Sequence, residues 1–513
     1  MDAIELSLFS NRLAAVCDEM GAVLQRAAFS PNIRDRLDFS CAIFDAKGEL
    51  CAQAAHIPVH LGSMAYAMRG IISQFNWCDG DMVIVNDPYL GGTHLPDVTF
   101  ISPVINTDTL VGFVANRAHH ADIGADSPGS MPISSSLEEE GLIIPPTYIC
   151  RQGQIQQEML DTMIASTRQT QTVQGDVAAQ VSANRIGCQR LIEMISTMQV
   201  ESFVEALDEL NDYGERLAQP VYKKIPDGQY RFTDFMDDDG QGQQNIRITA
   251  CLEVKDHQIH VDFTGTSDQV QGNINCPLSV AAAAVYYVFR CLLPAYAPAC
   301  AGTFRAIDIS APEGCLVNAK RPAAVAAGNV ETSTRIVDVI MGALLQAIPD
   351  KLAAASHGSM NNVAMGYVGD DTQQGWDYYE TVGGGMGASY KTNGLSGVQT
   401  HMTNTLNTPV EVLETNYPLI VKQYAIRGGS GGEGKYNGGN GLIREYEFLH
   451  DTSVTLLTER RSIAPWGVQQ GEEGKPGINS LNGKPVAAKV SLQVKQGDSL
   501  KIETPGGGGW GKE

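Results

Sequence analysis

The sequence has 513 residues, of which 43% are hydrophobic and 18% are charged. This length accommodates about two to four domains, and the composition is that of a globular protein rather than a disordered chain. The net charge is −22, and no long run of Lys and Arg is present. Nucleic acid is therefore not expected as a partner, because binding to a phosphate backbone depends on clustered basic side chains.

No membrane span is expected. The most apolar segment, "PLSVAAAAVYYVF" (277–289), is shorter than the roughly 20 residues that cross a bilayer, so it predicts a buried helix. The acidic N-terminus does not resemble a signal peptide. Eleven cysteines, an odd number without a C-x-x-C pair, indicate reduced thiols and a cytoplasmic location.

Apolar spacing predicts the elements of the first part of the chain. Residues 4–29 place apolar side chains at the helical period of about 3.6 and predict a first helix. The segment "DFSCAIFDAKGELCAQ" (38–53) alternates on either side of a turn and predicts a hairpin. Short strands are predicted around 81–87, 97–105 and 110–120.

The remainder divides into helical, β-rich and glycine-dense parts. Residues 156–219 predict helices, 230–265 alternate as in a β-meander, and helical patterns return near 277–292 and 331–348. The sequence therefore predicts an α+β fold with a β-rich C-terminal half. Its four regions are a mixed N-terminal part (1–155), a helical part (156–220), a meander with helices (221–345) and a Gly-rich, β-dominated part (346–513).

The distribution of histidine is the strongest indication of chemistry. Half of the ten histidines fall within 65 residues and lie near three aspartates; these residues are His56, His60, His94, His119, His120, Asp87, Asp97 and Asp122. Imidazoles and carboxylates in one cluster are what a Zn²⁺, Mn²⁺ or Fe²⁺ site with nitrogen and oxygen ligands requires. A metal site in the N-terminal part is therefore one hypothesis for this cluster.

The segment "GGTHLPD" contains two candidate ligands, His94 and Asp97. Both can face one cation if the loop folds back, since Gly91 and Gly92 permit unusual dihedral angles and Pro96 stiffens the approach to Asp97. The alternative is a capping aspartate beside a surface histidine, and the spacing alone does not decide between the two.

In "RAHHADIG", adjacent histidines on a strand point to opposite faces, so only one of His119 and His120 is expected to ligate directly. The alternative for each is a hydrogen-bonded core histidine. Pro58 lies between His56 and His60, which argues against a helical pair and favours a role in shaping a pocket.

Two other motifs give weaker indications of function. The segment "GSGGEGKY" nearly matches a phosphate-binding P-loop through Gly429, Gly434 and Lys435, but Tyr436 stands where Ser or Thr would bind Mg²⁺. Nucleotide binding is therefore not expected there. The acidic "DDDGQG" is interpreted as a tight turn, because the other oxygen positions of a calcium loop are missing.

Ten segments in one order resemble the hydantoinase B/oxoprolinase family over nearly the whole chain. They are "RLDFSCAIFDAKGEL", "HIPVHLGSM", "GDMVIVNDPYLGGTHLPDVTFISPV", "RAHHADIG", "PGSMP", "EEGLIIPP", "GNVETSTRIVDV", "NTPVEVLE", "GGSGGEGKYNGGNG" and "TPGGGGWG". The resemblance implies the B subunit of an ATP-dependent hydrolase that opens hydantoin, N-methylhydantoin, 5-oxoproline or a related lactam. A hydantoinase A-type ATPase subunit would phosphorylate the substrate in a hetero-oligomer.

The resemblance also implies site residues. The metal, Zn, Mn or Fe, would be bound by Asp38, His94, Asp97 and His119, with Asp35 as the alternative to Asp38. Either His120 or Asp122 would position or deprotonate the attacking water, as the catalytic residue. Two other functions are compatible with the motifs: a subunit of an acetone- or acetophenone-type ketone carboxylase, and a non-catalytic, metal-dependent scaffold.

Overall fold

The structure is a computed structural model that describes residues 1, 3–54, 56–369 and 375–512. Helices and mostly antiparallel sheets occur together, so the α+β prediction is confirmed. Within these residues, no helix has both the length and the apolar character needed to cross a membrane.

The helices and strands of the described residues follow one another in the order below. The helices are α1 (Ala3–Ala27), α2 (Pro31–Arg34), α3 (Pro58–Ile72), α4 (Gln157–Ser166), α5 (Thr170–Met198), α6 (Val200–Tyr222), α7 (Leu278–Leu292), α8 (Ser333–Leu344) and α9 (Val410–Asn416). The strands are β1 (Phe39–Asp45), β2 (Leu50–Gln53), β3 (Met82–Val85), β4 (Asp97–Asn106), β5 (Thr109–His119), β6 (Thr147–Arg151), β7 (Gln154–Ile155), β8 (Gly228–Asp238), β9 (Gln244–Lys255), β10 (Gln258–Asp262), β11 (Ile307–Ser310), β12 (Asn362–Tyr367), β13 (Trp376–Glu380), β14 (Leu419–Ile426), β15 (Leu442–Phe448), β16 (Thr452–Leu457), β17 (Ile478–Leu481), β18 (Lys484–Pro485), β19 (Lys489–Val494) and β20 (Ser499–Glu503).

A seven-stranded antiparallel sheet with the order β2-β1-β5-β4-β3-β6-β7 organises the N-terminal part. Successive side chains of a strand point to opposite faces. In β1, Cys41 and Ile43 therefore pack with α1 and α5, whereas Ala42 and Phe44 pack with α3. The predicted first helix and the predicted hairpin are both confirmed as α1 and β1–β2.

The central part agrees with the predicted pattern. Three helices, α4 to α6, occupy the predicted helical stretch, and β8, β9 and β10 form the predicted meander. Strand β11 joins β10 in parallel, and α7 and α8 contribute to the core that covers this sheet. The apolar segment 277–289 is a buried helix, as predicted, since α7 buries Val280 to Val285.

Two sheets, β13-β12-β16-β19 and β14-β15-β20-β17-β18, enclose the C-terminal core. An ion pair joins them, because Arg444 of β15 donates to Glu380 of β13 over 3.0 Å and neither side chain is exposed. Tyr446 also donates its hydroxyl hydrogen to Glu380. Burial of this pair is tolerated because each charge has a direct partner.

Glycine-rich segments pack backbone against backbone near the C-terminus. The Gly438 amide donates to the Gly432 carbonyl over 2.8 Å, and the Gly507 amide donates to the Gly439 carbonyl over 2.9 Å. A side chain cannot enter such contacts: a Cβ at Gly506 would lie 1.9 Å from the Ser430 carbonyl oxygen. Glycine is therefore required at these positions, because the two backbones lie too close together for a side chain.

We expect Gly506→Ala to destabilise the fold by about 1–3 kcal/mol, because the added methyl group overlaps a backbone oxygen that cannot move away. The matched control is Gly428→Ala, where a Cβ would have no neighbour within 4 Å and φ is not positive. Thermal unfolding of the two variants tests this. Equal melting temperatures would contradict the packing argument.

Candidate metal centre

One strand register brings two predicted ligands together. In the antiparallel pair β4–β5, Asp97 is the direct partner of His119, although the two are far apart in sequence. His94 joins them through a tight turn, in which the Asp97 amide donates to the His94 carbonyl over 3.1 Å. The three side chains therefore converge at the start of β4.

The turn before β4 depends on both glycines, but only Gly91 has the unusual dihedral angle that the sequence predicted for the pair. Gly91 has a φ of 117°, which disfavours residues with a Cβ. A Cβ at Gly92 would lie 2.2 Å from the Asn86 carbonyl oxygen. The Asn86 side chain fills the inside of the turn and donates to the Leu95 carbonyl over 2.9 Å.

The ligand atoms of His94, Asp97 and His119 all lie within 4.8 Å of one another, and all three residues are buried. Three of their atoms have no hydrogen-bond partner among the described residues: His94 Nε2, Asp97 Oδ1 and His119 Nε2. Unpaired polar atoms inside a protein are costly. Two imidazole nitrogens and a carboxylate oxygen that face one another unpaired fit a divalent cation of the N/O-preferring type.

The Nδ1 atoms of the two histidines contact other parts of the chain. His94 Nδ1 lies 3.1 Å from the Ala326 carbonyl oxygen, which can only accept, so this Nδ1 carries hydrogen. His119 Nδ1 lies 3.1 Å from the His120 carbonyl oxygen and 3.2 Å from Asn32 Nδ2, an acceptor and a donor. Both rings are thus held through Nδ1 with Nε2 turned toward the group. This is the arrangement by which ligating histidines are usually oriented.

The second oxygen of Asp97 is held by three groups. Thr93 donates to Asp97 Oδ2 over 2.6 Å, Asn329 donates over 3.1 Å, and His60 Nε2 lies at 3.2 Å. With Oδ2 occupied in this way, Oδ1 is left to face the two Nε2 atoms. His60, predicted to shape a pocket, therefore contacts a predicted ligand directly.

Charge in the site favours ligation by Asp97 and His119, whereas His94 has to release a proton first. Burial lowers the pKa of His94, but the Asp97 carboxylate, whose Oδ1 lies 3.3 Å from His94 Nε2, raises it above its usual value. Burial by itself would raise the pKa of Asp97, but the nearby His60 and His94 hold it well below its usual range. Burial also lowers the pKa of His119 well below its usual range. An ionised carboxylate and a neutral imidazole are the forms that bind metal.

Asp38 lies beside this group but is not one of its three members. Its Oδ2 is 3.6 Å from Arg36 Nη2, and its Oδ1 is 4.0 Å from His60 Nε2. Burial raises its pKa, which Arg36 opposes. The alternative, Asp35, instead pairs with Arg34 over 2.9 Å. The structure therefore places Asp38 nearer the group than Asp35, and its role as a ligand stays a prediction.

The two predicted catalytic residues have other partners. His120 Nε2 lies 2.8 Å from Gln180 Oε1 of α5, on the face of the sheet opposite to His119. Asp122 accepts from the Ser130 hydroxyl over 3.1 Å and from the Arg168 amide over 2.7 Å. The structure does not bring either side chain into the three-residue group, so their part in catalysis stays a prediction.

Several residues that contact the site were not identified from the sequence. Asn329 lies in a π-helical turn, Gly328–Thr332, a conformation often found at functional sites. Tyr379 stacks on His119 with ring centroids 4.7 Å apart. Glu140 accepts from the Ala326 amide over 2.9 Å and so holds the segment whose carbonyl binds His94. Of these residues, only Asn329 and Glu140 lie in segments that carry the family resemblance, "GNVET" and "EEGLIIPP".

Comparison with known proteins identifies the family. The profile described as Hydantoinase B/oxoprolinase matches residues 2–513. The putative B subunit of a D-/L-hydantoinase from Pseudomonas sp. is 34% identical, with 100% of this chain and 90% of that protein covered. 5-Oxoprolinase 1 of Arabidopsis thaliana is 38% identical over 99% of this chain, which spans only 42% of that longer protein.

Two solved structures share the fold. The ATP-dependent caprolactamase from Pseudomonas jessenii has a TM-score of 0.92 and 26% identity, with 100% of this chain and 91% of that chain covered. An acetone carboxylase chain has a TM-score of 0.89 and 18% identity over 99% of this chain and 76% of its own length, which shows similarity of fold alone. This chain belongs to the hydantoinase B/oxoprolinase family.

Proposed function

We propose that this chain is the metal-dependent B subunit of an ATP-dependent hydrolase of cyclic amides such as hydantoin, N-methylhydantoin, 5-oxoproline or a related lactam. The observation that supports this most is the group of three unpaired buried atoms on His94, Asp97 and His119 in the described part of the chain. The named relatives, an oxoprolinase and one component of a hydantoinase, support the substrate class.

The residues of the chain have distinct tasks in this proposal. His94, Asp97 and His119 hold a Zn²⁺, Mn²⁺ or Fe²⁺ ion, with Asp38 as the fourth ligand. When bound, the ion supplies Lewis acidity and a water of lowered pKa. Burial of all three residues would shield the ion from bulk water. The Oδ2 contacts of Asp97 keep its free oxygen in position.

ATP would be used by a partner of the hydantoinase A type in a cytoplasmic hetero-oligomer. The near-match to a P-loop supports this division, because its amides already have partners: Gly432 donates to the Gly507 carbonyl over 2.9 Å and Lys435 to the Gly511 carbonyl over 3.1 Å. A P-loop needs such amides free to bind phosphate. In the described residues, this segment also leads into β15 and not into a helix.

We expect His94→Ala and Asp97→Ala to lower the metal content per chain by about tenfold or more while the protein stays folded, because each variant removes one ligand of the group. Elemental analysis and circular dichroism measure the two properties. The control is His260→Ala, which removes a half-exposed histidine paired with Asp308 on the surface. Wild-type metal content in both ligand variants would falsify the assignment.

We expect Asn329→Leu to weaken metal binding by about 10- to 100-fold, since Asp97 loses a donor that fixes its orientation. Competition with a chelator of known affinity measures the change. Asn318→Leu is the control, because Asn318 donates to the Ala311 carbonyl away from the metal group. Equal metal affinity in the two variants would show that Asn329 does not position Asp97.

The activity is tested by mixing the purified chain with its A-type partner, ATP, a panel of cyclic amides, and acetone with bicarbonate. Ring opening with release of ADP is expected only when both proteins are present. Ketone consumption that depends on bicarbonate would instead identify a component of a carboxylase. No turnover of any substrate would favour a scaffold and contradict the proposal.

A further inference from the structure

A cavity of about 630 Å³ lies between α3, α7 and the segment 386–404, apart from the three metal-binding candidates. This volume is typical of sites for small organic ligands. Its apolar wall includes Tyr287, Met341 and Leu352. The reaction proposed above does not use this space.

The mouth of the cavity is basic. Among the described residues, Lys351 and Lys391 are its only fully charged lining residues, and no carboxylate lines it. Both lysines are exposed. Asp350 lies outside the lining but attracts the Lys391 ammonium group, which also contacts Tyr390. Such a mouth attracts an anionic group.

The inner end of the cavity offers unpaired polar atoms instead. Gln399 and His401 both line the cavity, and within the described ranges Gln399 Oε1 and His401 Nε2 are buried without a hydrogen-bond partner. His401 Nε2 lies 3.8 Å from Asp338 Oδ1, too far for a hydrogen bond, and that oxygen is unpaired as well. His401 also has a φ of 60°, a strained conformation for a residue other than glycine.

Gln399 is held through Thr381. The Thr381 hydroxyl oxygen accepts from Gln399 Nε2 over 3.3 Å and from Arg36 Nη2 over 3.2 Å. A hydrogen bond of 2.7 Å also joins the Thr381 and Thr405 hydroxyls, in which either can donate. The nitrogen of the Gln399 amide is engaged in this network, and its oxygen is the atom without a partner in the described part of the chain. Arg36 connects this network to Asp38 over 3.6 Å.

We propose that this cavity binds an amino acid zwitterion, with the carboxylate at Lys351 and Lys391 and the ammonium group toward Gln399 and His401. Opening a lactam produces a molecule with both charges, whereas opening a hydantoin leaves a neutral carbamoyl group in place of the ammonium group. The inference therefore rests on the proposed function with a lactam as the substrate, and it assigns the cavity to the ring-opened product. The apolar wall between the two ends accommodates the methylene chain.

Three probes separate the two ends: 5-aminopentanoate, pentanoate and pentylamine. Calorimetric titration of the metal-loaded full chain, without ATP or partner, is expected to show that 5-aminopentanoate binds at least about tenfold more tightly than either singly charged probe, since each end adds a charge-assisted contact. Binding of all three with equal affinity, or no binding of 5-aminopentanoate, would overturn the proposal.

Two variants locate the contacts. In Lys351→Gln/Lys391→Gln, affinity for 5-aminopentanoate is expected to fall about tenfold while that for pentylamine is unchanged. In His401→Phe, the preference for 5-aminopentanoate over pentanoate is expected to disappear. The matched control is Lys475→Gln/Lys484→Gln, which removes two exposed lysines outside the cavity lining. Wild-type affinities in the first variant would contradict the proposal even if His401→Phe does not fold.

The two proposals fail in different ways. A chain that opens cyclic amides with its partner but shows no preference for 5-aminopentanoate contradicts the cavity assignment alone. A chain that binds 5-aminopentanoate selectively but neither retains metal nor opens any cyclic amide contradicts the proposed function alone.

Discussion

The arrangement of the site depends on the register of one antiparallel strand pair. Asp97 begins β4 opposite His119 at the end of β5, and a shift by one residue would send one side chain to the other face of the sheet. The register is stabilised from both sides, because α1 and α5 cover one face of the sheet and α3 covers the other. Packing of two apolar faces thus determines where three polar side chains meet.

A carboxylate at the position of Asp97 has to be compensated, because an isolated buried charge is strongly unfavourable. Two hydrogen bonds and a nearby imidazole compensate Oδ2. Oδ1 lies 3.3 Å from His94 Nε2, but neither atom has a hydrogen-bond partner, and His119 Nε2 has none either among the described residues. A bound cation would contact all three atoms at once. The unpaired atoms are therefore stronger support for a metal site than the residue types alone.

Local patterns in the sequence were sufficient to predict much of the fold. The helix α1, the β1–β2 hairpin, the helical part and the meander each follow from periodicity within one segment. The paired position of His94 and Asp97 also follows from a local turn with two glycines. The opposite orientation of His119 and His120 follows from strand geometry alone.

The residues that surround the site could not be predicted from local sequence patterns. Asn329 reaches Asp97, and the Ala326 carbonyl reaches His94, each across a separation of 232 residues. No periodicity relates residues so far apart, since their contact depends on how whole layers pack. The same reason applies to His120 and Asp122. Their positions in the motif suggested a catalytic role, and the sequence did not reveal that the fold places α5 against His120 and Arg168 against Asp122.

The three-residue group of His94, Asp97 and His119 and the cavity are joined by polar contacts. Thr381 links Gln399 of the cavity to Arg36, and Arg36 contacts the predicted ligand Asp38. Thr381 makes three polar contacts, so rotation of Gln399, Arg36 or Thr405 breaks a hydrogen bond of this network. Buried polar side chains, Thr381 and Arg36, therefore connect the cavity to the side chain beside the three-residue group.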